Sequence, residues 1–170
     1  SHASYITEHY WGYTTQPDGG TAEYEVTHPS WDVHPATDAV LTGDHVMDWA
    51  STLVSPPDGD VASFMDTSAR LRARGDRVFY PGHGAPVRDP AGRLDWLMAH
   101  RRAREAAILD ALAEGPATLP EITSRAYRDV PPAMLPAAAR NVLAHLVDLT
   151  ARGMATAEPA LSTSARFRLT

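Results

Sequence analysis

Cysteine is absent from the 170 residues, which excludes a disulfide framework and any thiolate ligand. A metal would have to be held by imidazole and carboxylate. Lysine is absent too: all 15 basic residues are Arg, and the first is Arg70. Residues 1–92 carry 5 Arg against 13 acids, whereas residues 93–170 carry 10 Arg against 8. The near-neutral second part lacks the electrostatic footprint of a nucleic-acid binder. No apolar run approaches the roughly 20 residues that cross a bilayer, and no charged segment followed by an apolar stretch opens the chain. The composition predicts a soluble, cytoplasmic protein with no membrane partner. Its 44% hydrophobic content suffices for one ordinary domain or two small ones. Ser1-His2 reads as a tag remnant, and His2 carries no chemical weight.

Tyr5–Tyr13 and the stretch after Gly19-Gly20 alternate with a period near two and predict two strands, the second over 19–33. Pro29 and Pro35 bracket Trp31 and predict an extended, kinked connection. Asp38–Leu41 is a short buried strand leading into Thr42-Gly43-Asp44-His45. Asp60 caps a helix from Val61 to about Arg74 that Gly75 ends, and Arg77–Tyr80 returns as a strand stopped by Pro81-Gly82-His83-Gly84. Together these form a βαβ-like half of an α/β layer. Helical spacing then runs from about Ala91 to Glu114, from Leu119 to Arg128 behind Thr118, and near Leu135–Arg152, followed by a hairpin of 154–157 with 165–169. Three helices and a hairpin describe a winged helix. The fold class is α/β (α+β), in three parts: a β-rich segment over 1–39, a half layer over 40–92 and a winged-helix domain over 93–170.

Two turns carry the chemistry. Asp44 follows a strand and a glycine, where a carboxylate with lone pairs on both oxygens can bridge two ions; an Asp that merely caps a turn is the competing reading. His83 stands between two glycines, where backbone amides and a ring nitrogen can face one ligand, with a structural turn histidine as the alternative. His45 would point away from Asp44 in an extended chain, as a supporting or surface residue. His9, His28 and His34 lack ligand spacing with one another. His100 reads as a packing and ion-pairing residue, and His145 as a hydrogen-bonded core residue. There is no nucleophilic Ser motif and no phosphate-binding glycine loop.

From about Val40 onward, Leu41-Thr42-Gly43-Asp44-His45-Val46-Met47, Ser55-Pro56-Pro57-Asp58-Gly59-Asp60, Tyr80-Pro81-Gly82-His83-Gly84 and His100-Arg101-Arg102-Ala103-Arg104-Glu105 resemble the second half of a metallo-β-lactamase-fold hydrolase. The branch resembled is the β-lactamase-like-protein-2 type, with a C-terminal winged helix. The resemblance implies a zinc pair, with Asp44 bridging the ions and His83 completing the second site. The family's His-x-His-x-Asp-His motif is absent from this sequence, as is its upstream Pro-Gly-His turn. Residues 4–36 are similar instead to the late part of the YqjF-like family, which implies an acetoacetate-decarboxylase-like β segment and a junction near Thr37–Thr42.

Three functions follow as expectations. The first is a metal-dependent hydrolase of an ester, thioester or phosphodiester with an incomplete ligand set, completed from a second chain or from residues such as His9 or His28. The second is a non-catalytic, truncated or chimeric module whose exposed half layer self-associates as a homodimer. The third, a nucleic-acid reader, is disfavoured because the third helix offers only Arg140 and Arg152 as cations.

Overall fold

The computed structural model describes the backbone of residues 4–15, 21–34, 38–128 and 130–170, and side chains from 38 onward except at 129. The Gly19-Gly20 turn, Pro35 and the side chains of His9, His28 and His34 lie outside the described residues. The chain divides into two compact units, Ser1–Thr52 with Asp66–Leu97, and Leu53–Met65 with Met98–Thr170.

The first unit holds a four-stranded sheet in the order β1 (Ser4–Thr15), β2 (Thr21–His34), β3 (Ala39–Gly43), β4 (Val78–Pro81). The first three strands pair antiparallel and β3 pairs β4 in parallel, joined through helix α1 (Val61–Arg74) as the βαβ pattern predicts. β2 continues through Pro29 and Trp31 rather than yielding to a connection. The β1–β2 register shifts beside that proline, between Tyr5 opposite Asp32 and Thr7 opposite Pro29. A residue without an N–H cannot feed a regular ladder, so an irregularity belongs there.

On β3 and β4 the period-two alternation decides which side chains reach the core. Val40, Thr42 and Phe79 are buried, whereas Leu41 and Tyr80 are exposed. Val40 and Phe79 join Val46, Leu71, Val87, Leu94 and Leu97 in one apolar cluster. Each such large side chain removed from water contributes about 1.5–3 kcal/mol before chain entropy is charged against it. Helix α1 starts where predicted: the Asp60 carboxylate accepts a hydrogen bond from the Ser63 amide at 2.6 Å. It stops at Gly75, whose φ of +74° suits glycine. Helix α2 (Pro90–Ala113) begins with Pro in its first turn, where the missing N–H costs nothing, and the Asp89 carboxylate accepts from the Gly92 amide at 3.0 Å.

The second unit contains the winged helix. Helices α3 (Leu119–Ala126) and α4 (Leu135–Ala151) follow α2, and a short 3₁₀ turn over Pro132–Met134 leads into α4. The hairpin is β6 (Ala155–Glu158) with β7 (Arg166–Leu169), and a two-residue strand β5 (Ala117–Thr118), absent from the sequence reading, adds to the far edge of β7. Glu121 fixes the start of α3 by accepting from the Thr118 amide at 2.7 Å and the Thr118 hydroxyl at 2.8 Å. The helix ends at Ala126, two residues short of the predicted Arg128. Ile108, Leu112, Ile122, Val142, Leu146, Leu149 and Phe167 form the core. A smaller cluster of Val54, Val61, Phe64 and Ala144 lies beside α4.

Candidate metal centre

The parallel pair β3–β4 brings the two sequence-predicted residues together. β3 ends at Gly43, whose φ of +51° turns the chain aside, and the Gly82 amide donates to the Gly43 carbonyl at 2.9 Å. Asp44 and His83 thus leave adjacent strand ends, and His83 Nδ1 lies 2.7 Å from Asp44 Oδ1. Both side chains are exposed, His83 at 73% and Asp44 at 56%, so their attraction alone adds little stability. A Cβ at position 82 would sit 3.0 Å from Asp44 Oδ1, so any other residue there would press the carboxylate aside by a few tenths of an ångström.

Past Asp44 the chain turns at once. The His45 amide donates to the Thr42 carbonyl at 3.1 Å, and the buried Thr42 hydroxyl donates to the Val46 carbonyl at 3.0 Å. The Thr52 hydroxyl lies against the carbonyls of Asp44 and His45. Because the chain is not extended here, the alternation argument for His45 does not apply; its Nε2 instead pairs with Ser68 Oγ of α1 at 3.2 Å. His145 corrects the sequence reading more sharply. It is buried, yet neither ring nitrogen has a hydrogen-bond partner among the described residues. Burial, aided by Arg101, Arg152 and His100, pushes its pKa down from 6.5 to about 4, so it is neutral at ordinary pH.

No motif in the sequence marks Arg93, near the start of α2. Its Nε donates to the Met47 carbonyl and its Nη2 to the Ala50 carbonyl, both at 2.7 Å, and its guanidinium lies 4.5 Å from the centre of the Trp96 ring. Burial lowers its pKa, with Asp48 opposing. The two acceptors bracket Asp48 and Trp49. Those side chains lie against Gly84, where a Cβ would overlap the Asp48 carboxylate and come within 2.8 Å of the Trp49 ring. Among the described residues no group of three or more His, Cys, Asp or Glu converges as a metal-ligand set.

Residues 118–161 match the β-lactamase associated winged helix domain family. Residues 1–69 match the DUF2071 family of uncharacterized conserved proteins. The chain is 28% identical over 97 residues to the β-lactamase-like protein 2 homolog of Drosophila melanogaster, covering 55% of this chain and 33% of that protein. It is 31% identical over 101 residues to the lactamase-like protein vrtG of Penicillium aethiopicum, covering 55% and 32%. A metallo-β-lactamase family protein from Thermus thermophilus superposes with a TM-score of 0.67 at 25% identity, over 96% of this chain and 49% of that one. A β-lactamase domain protein from Burkholderia ambifaria gives 0.70 at 24% identity, over 99% and 50%. The chain thus spans about a third of the curated relatives' length and half that of the solved ones. It has a metallo-β-lactamase fold with a winged-helix domain, and its relatives are hydrolase-like.

Proposed function

We propose that in this metallo-β-lactamase-fold chain Asp44 and His83 are part of a divalent-metal site, and that the protein is a hydrolase relative in which that site is incomplete. The observation that carries the reading is the 2.7 Å approach of imidazole to carboxylate at the ends of two adjacent parallel strands. The donor chemistry suits zinc, which accepts both groups. The number of donors does not: a catalytic zinc takes three protein ligands beside its water. Two donors alone do not assemble a hydrolytic centre, and hydrolysis of an ester, thioester or phosphodiester requires further ligands, from a second chain or from residues such as His9, His28 or His34.

Zinc binding at equilibrium, read by competition with a chelating indicator, tests this reading. The unmodified chain is expected to bind zinc more tightly than Asp44→Ala and His83→Ala. Zinc binding no stronger in the unmodified chain than in the two variants overturns it.

A second reading, self-association, rests on a different observation. Leu41 and Tyr80 are partners in the β3–β4 register and are 51% and 46% exposed, on the face opposite Val40 and Phe79. We propose a homodimer through this face, which Leu41→Glu would dissociate. Light scattering that finds the unmodified chain monomeric at high concentration removes the proposal. Nucleic acid remains a disfavoured partner: of the two α4-region cations, Arg152 is paired with Glu105 and Asp148, each at 2.7 Å. Filter binding that fell steeply with added salt would reverse that.

A further inference from the structure

We propose that Arg93 is a positioning residue for the Asp44–His83 pair, acting through the segment between Asp44 and Thr52. The guanidinium spans two carbonyls three residues apart, Met47 and Ala50, with two hydrogen bonds of 2.7 Å. Both are charge-assisted, the stronger kind, and the planar group holds both acceptors at a fixed separation. Trp96 lies under the guanidinium at 4.5 Å, so the side chain is braced on its own helix.

That geometry bears on both members of the pair. On the Asp44 side, the clamped segment is the direct continuation of the Thr42–Val46 turn, and Thr52 closes it back onto the Asp44 and His45 carbonyls. On the His83 side, the residues bracketed by the clamp, Asp48 and Trp49, form the wall against Gly84, next to His83. Asp44 and His83 are themselves exposed, so neither is fixed by burial. Their separation is set by backbone anchors: the Gly82–Gly43 hydrogen bond at the strand ends and, beyond the strands, the Arg93 clamp.

A lysine has one ammonium and cannot reproduce the fork. Arg93→Lys should keep part of the restraint and Arg93→Ala none. Arg72, which pairs with Asp95 at 3.0 Å on the exposed surface, supplies a control.

The test uses the full chain with Arg93→Ala, Arg93→Lys and Arg72→Gln, and has two readouts. Amide exchange over residues 44–52 is read without any metal. It is expected to quicken at least about tenfold in Arg93→Ala and less in Arg93→Lys, with α1 unchanged and Arg72→Gln like the unmodified chain. Cobalt(II) affinity, by competition with a chelating indicator, is expected to fall about 10–100-fold in Arg93→Ala.

Unchanged exchange over 44–52 in both Arg93 variants overturns the proposal. So does exchange that quickens equally throughout the chain, since that marks a residue of general stability. If Arg93→Ala fails to fold, Arg93→Lys decides. The cobalt arm alone rests on the metal-site reading: an unmodified chain that binds no cobalt refutes that reading and leaves Arg93 to the exchange data.

Discussion

Replacing His145 with Leu should change how the stability of the chain depends on pH, and the sign is fixed by burial. The imidazole is 1% exposed, and its pKa falls from 6.5 to about 4 in the folded protein. The unfolded chain therefore binds the proton more tightly, so His145 contributes stability that is intact above about pH 6.5. That contribution is lost as the pH falls toward 4. A difference of about 2.5 pK units corresponds to about 3 kcal/mol once both states are protonated, and about 2 kcal/mol is gone by about pH 5. Asp148, whose carboxyl is pushed up by burial, acts in the opposite sense: its contribution is present at low pH and lost as the pH rises. It is retained in both proteins and largely cancels in the comparison. Leucine is similar in bulk and removes two ring nitrogens that have no hydrogen-bond partner among the described residues. The variant should match the unmodified chain at neutral pH or exceed it by about 1 kcal/mol. Urea unfolding followed by far-ultraviolet circular dichroism at about pH 7.5 and about pH 5 measures both quantities. The gap between the proteins should widen by about 2 kcal/mol in favour of the variant at the lower pH. Parallel pH profiles would refute the assignment of a buried, neutral imidazole.

Gly84→Ala should disturb the candidate centre more than the fold. Its φ is +97° and the added carbon would meet the Asp48 carboxylate and the Trp49 ring, so the Trp49 fluorescence should shift with a loss of only about 1–3 kcal/mol. Asp60→Ala removes the cap accepted from Ser63 and should cost about 1 kcal/mol in urea unfolding. Phe167→Ala empties a fully buried site in the winged helix and should cost about 3–5 kcal/mol, with loss of its cooperative thermal transition. A loss below about 1 kcal/mol there would mean that the cluster closes over the gap.

What could be read from the sequence was whatever is set by neighbours along the chain. The α1 boundaries follow from Asp60 and Gly75, and the βαβ pattern from alternation on β3 and β4 around a helical period. Asp44 and His83 were visible because both stand beside glycine at strand ends, and the parallel pairing then placed them together. β5 was invisible because two residues have no period; only β7, some fifty residues later, makes Ala117 and Thr118 a strand. Arg93 was missed for the same reason, since its acceptors lie more than forty residues upstream. The expected hydrogen bond of His145 failed because helical position specifies burial but not what stands opposite the ring.

Asn141 ties residues 53–65 to a helix that is made much later in synthesis. Its side-chain oxygen accepts from the Val54 amide at 3.2 Å and from Arg101 Nη1 at 3.0 Å, within the unit that joins Leu53–Met65 to Met98–Thr170. Residues 53–65 leave the ribosome well before α4, yet Val61 and Phe64 find Ala144 only when α4 arrives. During that interval Ala144 is missing from their cluster. A nascent chain halted before Asn141 should therefore be open to protease at 53–65, and one released past α4 should be closed there.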